Sequence, residues 1–176
     1  MGGLEEGVRG RQTERKALII VAAQEDGPGI GRIRMRRIVD ASAESLVPFI
    51  KDAVEAGSVV HTDGWLGYES LGSKNYEHEV TFLKAKKETP SELMPRVHRV
   101  ISLLKRWLMG THQGAVSLEH LDYYLDEFTF RFNRRKSRSR GKLFFRLLQQ
   151  AVAIDPLPYK SMVKCYATPE LRYHKM

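Results

Sequence analysis

Hydrophobic and polar positions follow two different rhythms along the chain. Short apolar runs and two-residue alternation dominate the first half, and a helical period dominates the second. Lys16 to Ala23 (Lys-Ala-Leu-Ile-Ile-Val-Ala-Ala) is a continuous apolar run and predicts a buried strand. Gln24 to Gly31 carries three glycines and a proline and predicts a turn. From Arg32 to Ile38, Arg32, Arg34 and Arg36 alternate with Ile33 and Met35, which puts the guanidiniums on one strand face. A solvated face explains them better than a phosphate contact. Ser42 or Ser45 can cap a helix running to about Glu55, with Leu46, Phe49, Ile50 and Val54 as its apolar stripe. Pro48 is easiest in a first turn, which favours Ser45 as the cap. Ser58 to Thr62 predicts a strand, Tyr76 to Phe82 a last strand, and Lys84 to Pro90 a basic, polar loop.

Beyond that loop, Val97, Ile101, Leu104 and Leu108 recur at helical spacing, widened by Val100, Leu103 and Trp107. Ser117 is the expected cap of the next helix, whose buried face is Leu118, Leu121, Leu125, Phe128 and Phe132. Lys142 to Ile154 predicts a third helix, stopped by Pro156 and Pro158. Strands around one helix, followed by helices that pack on them, define an α/β domain. Its expected extent is residues 1–155, with a loose tail at 156–176.

Composition changes this picture mainly through charge. The chain of 176 residues is long enough for one domain with a real core and carries a formal net charge of +8. That favours a polyanionic partner, nucleic acid before an anionic membrane. Cys165 is the single cysteine, which excludes an intrachain disulfide or a paired-cysteine metal site and fits a reducing cytosol. No apolar run approaches the roughly 20 residues that span a bilayer, and the first residues lack the pattern of a signal peptide.

Candidate chemistry begins at Thr62-Asp63-Gly64-Trp65-Leu66-Gly67-Tyr68. A carboxylate at the end of a strand suits a divalent ion, although an Asp-Gly pair by itself is more often a plain turn. His98 and Lys105 lie seven residues apart on the second predicted helix, nearly two turns, with Ser102 between them on the same face. The imidazole can ligate a metal or act as a base, and the ammonium suits a phosphate; a solvated helix face is the competing reading. Between Arg131 and Arg146 stand eight basic residues and no acidic one, among them Arg131, Arg134, Arg135, Lys136, Arg138 and Arg140. This is the densest electrostatic footprint in the chain, suited to tracking a DNA backbone, with a solvated linker as the alternative. His112 reads as a polar loop residue. Trp65 and Tyr68 read as packing under the turn rather than base stacking.

Taken in order, four segments resemble the transposases of short bacterial insertion sequences, in the ISXO-like group of the DDE superfamily. They are Asp40-Ala41-Ser42-Ala43-Glu44, the turn Thr62 to Tyr68, Leu103 to Gly114, and Tyr124 to Phe128 with Phe130 to Arg135. The resemblance implies a ribonuclease-H-like mixed sheet flanked by helices, and metal-dependent DNA strand cleavage and transfer using Mg²⁺ or Mn²⁺. It places the second catalytic Asp at Asp63, the third ligand at His98 and the family's lysine, two turns on, at Lys105, beside Arg106. It implies terminal inverted repeats and target DNA as partners, a homo-oligomer on DNA, and a cytoplasmic, nucleoid-associated protein. In that group the first Asp precedes a Gly-Gly pair that matches Gly2-Gly3, so the first strand is expected to be incomplete and the first Asp missing. Asp26 and Asp40 are poor substitutes for it. The expected consequence is impaired catalysis, and the alternative is a non-catalytic DNA-binding or oligomerising remnant.

Overall fold

The computed structural model describes residues 17–81, 90–114, 116–156 and 158–159. The chain divides into two compact units, Met1–Asn133 and Arg134–Met176. The expected loop at 84–90 falls almost wholly outside the described residues, as do residues 1–15 and nearly all of the expected tail.

The first unit is a mixed α/β arrangement. Strand β1 (Leu18–Asp26) turns tightly at Gly27-Pro28 into β2 (Gly29–Ile38), and the two pair antiparallel. The expected eight-residue turn is therefore mostly strand. Gly27 takes the left-handed conformation (φ 53) that lets the hairpin close in two residues. Helix α1 (Ala43–Ala53) then leads to β3 (Val59–Thr62), a 3-10 helix (Leu66–Lys74) and β4 (Glu77–Val80), which pairs parallel with β3. The two sheets have two strands each. Short α2 (Pro90–Leu93), α3 (Pro95–Thr111) and α4 (Leu121–Asn133) complete the unit.

Two apolar clusters sit on opposite faces of the β1–β2 hairpin. On one face Ile33 packs with Val100, Leu104 and Leu108 of α3 and with Leu121, Leu125, Phe128 and Phe132 of α4. On the other, Ile20 packs with Leu46, Phe49 and Ile50 of α1 and with Leu71 and Tyr76. Hydrophobic burial on both faces is the main force that holds helices to strands here. Polar ties add direction. Arg96 donates to the carbonyls of Gly27 and Gly29 and pairs with Glu25 at 2.7 Å, pinning the hairpin tip to α3. Arg37 reaches the Leu118 carbonyl and Asp122, and Asn133 bonds both backbone groups of Ile33.

Three local expectations are corrected. Ser42, not Ser45, caps α1: its hydroxyl accepts from the Ser45 N–H, and Asp40 Oδ1 in turn accepts from the Ser42 N–H and hydroxyl and from the Ser45 hydroxyl. That network holds the helix start early, and Pro48 is carried inside the helix. Ser117 does not start α4. Its carbonyl accepts from His120 N–H, closing a turn at residues 118–120, and the helix begins at Leu121. Leu118 consequently lies outside the helix and is 45% exposed.

The second unit contains α5 (Arg140–Val152). A turn closed by Ser137 N–H on the Arg134 carbonyl precedes it.

Candidate functional site

The turn after β3 is built almost residue by residue for structural reasons. Asp63 is half-buried, and its Oδ1 accepts from the Trp65 N–H at 3.3 Å, a local Asx-type turn. Gly64 has φ 73, a conformation that disfavours any side chain. The Trp65 indole N–H donates to the Ala41 carbonyl at 2.6 Å, tying the turn to the start of α1. A Cβ on Gly67 would lie 2.7 Å from that same carbonyl and 2.7 Å from Leu46 Cδ1, so only glycine fits. Tyr68 packs against the α1 cluster. The expectation of packing under the turn agrees with this for Tyr68; Trp65 is anchored on Ala41 but 38% exposed. Leu66, by contrast, is 70% exposed and no packing explains it.

His61 and His78 on the neighbouring strands are held by threonines, His61 Nε2 with Thr81 Oγ1 and His78 Nε2 with Thr62 Oγ1. Neither contributes to a cluster around Asp63. Among the described residues no group of three or more His, Cys, Asp or Glu is arranged to hold a metal ion.

On α3, His98 is half-buried while Ser102, Lys105 and Arg106 are exposed. Helix geometry puts His98, Ser102 and Lys105 on one face. The opposite stripe, Val100, Leu104 and Leu108, is in the core. The side chains of His98, Ser102 and Lys105 have no hydrogen-bond partner among the described residues. Among the described residues, then, no hydrogen bond or ion pair occupies this polar ridge.

The basic segment is divided between the two units. Arg131 ends α4, exposed, and pairs with Glu127 at 2.7 Å, one helical turn back. In the second unit, Arg135, Lys136 and Arg138 are exposed and Arg134 is half-buried. The Arg140 side chain is outside the described residues. On β2, Arg32 and Arg34 are exposed, as the solvated-face reading expects, while Arg36 pairs with Asp52 at 2.9 Å and lies over the Phe49 ring.

His112 stands in the helix-ending loop as expected, just past α3, but it is packed there: its ring meets Trp107 edge-on at 4.7 Å and Tyr124 at 4.4 Å, and its Nε2 is buried without a partner among the described residues. Gln113 and Gly114, both at positive φ, turn the chain out of α3 beside it. One further residue was assigned no role by sequence. Asn133 closes the outer side of β2; its place at the end of a helical stripe gives no hint of that, since the pairing joins residues 100 positions apart.

Residues 3–133, well over half of the chain and nearly the whole first unit, match the family model described as the ISXO2-like transposase domain. The chain is thus an insertion-sequence transposase domain of the DDE group. Within that group it belongs to the ISXO2-like family. No curated protein and no solved structure matches it. No helix among the described residues is long and apolar enough to cross a membrane.

Proposed function

We propose that this chain serves in DNA transposition as the DNA-holding part of a transposase catalytic domain, and that alone it binds DNA far better than it cuts it. The family match over residues 3–133 carries this reading. A ribonuclease-H-like fold is part of it, supported by an antiparallel pair, a crossover helix, a parallel pair and then helices. Lys105 and Arg106 on α3, with Arg131, Arg134, Arg135, Lys136, Arg138 and Arg140, are the DNA contacts. More than one copy assembles on the element's terminal inverted repeats, in the cytoplasm at the nucleoid.

The family's divalent-metal chemistry needs several hard oxygen ligands converging on one place. Asp63 and His98 are the ligands proposed from the resemblance, one carboxylate and one imidazole, and Oδ1 of Asp63 is already engaged by Trp65. That set does not fit a two-ion site, so no step is routed through a metal here. What the chain's own residues do is hold phosphates.

The test is titration of labelled inverted-repeat DNA across salt. Replacing Arg134, Arg135 and Arg138 together by Ala lowers the slope of log K against log salt by up to about 3, if each releases a counterion at one phosphate. An unchanged slope sinks the DNA-contact assignment. Efficient cutting of the same DNA by the purified chain with Mg²⁺ or Mn²⁺ would overturn the claim of impaired catalysis.

A further inference from the structure

Helix α5 (Arg140–Val152) lies beyond residues 3–133, outside the stretch that matches the transposase domain. At about 3.6 residues per turn, Leu143, Leu147, Ala151, Phe144 and Leu148 form one continuous apolar face. Val152 and Phe145 widen it, which leaves Lys142, Arg146, Gln149 and Gln150 on the other side. A helix that is apolar over more than half its circumference is built for burial. Yet Phe144, Phe145, Leu147, Leu148 and Val152 are all exposed, Phe144 by 64% and Phe145 by 61%. A lone helix of 13 residues is marginal in water, because packing supplies most of a helix's stability.

The charges at the ends of α5 have the wrong sign for the helix itself. Backbone dipoles make the N-terminal end of a helix positive and the C-terminal end negative. Here Arg138 precedes the helix, Lys142 stands near its start, and Asp155 follows its end. The first turn has no acidic residue and the last turn no basic one. Arg138, Lys142 and Asp155 are all exposed. The opposite end of an identical helix, running the other way, corrects each mismatch. Arg138 and Asp155 flank α5 almost symmetrically, so an antiparallel copy brings Arg138 and Lys142 beside the partner's Asp155, twice over. Leu147 then faces its own counterpart near the middle, and Leu143 faces the small Ala151.

We propose that α5 is a self-association surface, pairing antiparallel with α5 of a second copy of this chain. A parallel pair would set like charges side by side at both ends. DNA phosphates meet the basic end but cannot cover the apolar face. An anionic membrane surface would repel Asp155, and the polar side offers it only Lys142 and Arg146. The face is small. One helix about 20 Å long provides less than the roughly 800 Å² per partner of a stable complex, so the free dimer is weak, on the order of 10 μM or weaker. Two copies held on one DNA meet at a raised effective concentration, which completes the pair. The surface thus rests on the reading that more than one copy assembles on DNA, and names the contact.

The experiment uses the full chain without DNA, so its failure is separate from failure of the DNA-binding reading. Sedimentation equilibrium from about 5 to about 300 μM should show a reversible monomer–dimer equilibrium. Leu147→Ala should raise Kd about tenfold; alanine is the best helix former, so that loss is packing and not helix. Lys142→Glu and Asp155→Lys should each raise Kd about threefold, although each suits the helix's own dipole better, and together they should restore the pair. A chain that stays monomeric throughout overturns the proposal. So does a dimer indifferent to Leu147→Ala, or one that the charge exchange fails to restore. Co-sedimentation with phosphatidylserine-containing vesicles that Leu147→Ala abolishes, without any dimer, would make the occupant a membrane and overturn it too.

Discussion

The turn from Thr62 to Tyr68 and the polar ridge of α3 hold the two sharpest chemical signatures in the chain, and the fold needs them to very different degrees. In the turn, Gly64 serves a left-handed backbone, Trp65 an anchor on Ala41, Gly67 a close approach, and Tyr68 a cluster. On α3, His98, Ser102 and Lys105 project from a helix whose stability comes from its opposite face. A motif can therefore be distinctive because the backbone has no other option there. A plain-looking ridge can be the better functional candidate because nothing in the packing requires it.

The strongest break in that comparison is Gly67→Ala. The added Cβ meets a backbone carbonyl and a core methyl at 2.7 Å, and a carbonyl cannot move aside as a flexible side chain can. Overpacking of this kind costs about 1–3 kcal/mol, and the loss should appear as a lower denaturation midpoint with an unchanged slope. The turn would then be chiefly a clamp. A stability unchanged within about 0.5 kcal/mol would mean that the turn yields and that its glycine serves something else.

The ridge should behave in the opposite way. Ser102→Ala and Lys105→Ala change stability by less than about 0.5 kcal/mol, because these exposed side chains have no hydrogen-bond or ion-pair partner among the described residues. Lys105→Ala should still weaken DNA binding and reduce its salt slope by about 1, whereas Ser102→Ala leaves the slope alone. Asp63→Asn joins the two regions: the amide oxygen can still accept from Trp65, so the fold persists while any carboxylate chemistry is lost. Equal destabilisation by the turn and ridge substitutions would erase the distinction.

Sequence periodicity located the strands and the long helices because burial imposes it directly: Val100, Leu104 and Leu108 form a helical stripe and are buried as one. The 3-10 helix Leu66–Lys74 escaped because it buries only Gly67 and Leu71 and has no stripe to read. The candidate site was legible as residue types and order. Which of those residues are already committed to holding the turn depends on contacts such as Trp65 with Ala41, 24 positions away, which no local pattern encodes.

Asp40 offers the smallest and most specific test of how the turn's anchor is maintained. The hydroxyl of Ser42, then its N–H, then the hydroxyl of Ser45 favour the ionised carboxylate, and together they hold Asp40 below the usual aspartate range. A carboxyl lowered on folding adds stability that is present above its unfolded pKa, about 3.9, and lost as pH falls through its folded value. Acid should therefore loosen the start of α1, and with it the Ala41 carbonyl that anchors Trp65. Asp40→Asn keeps an acceptor oxygen but no titratable proton, so its stability below about pH 4 should fall less steeply than that of the unaltered chain. Parallel denaturation midpoints of the two proteins from pH 6 to pH 2.5 would show that the Asp40 network contributes nothing to the folding equilibrium.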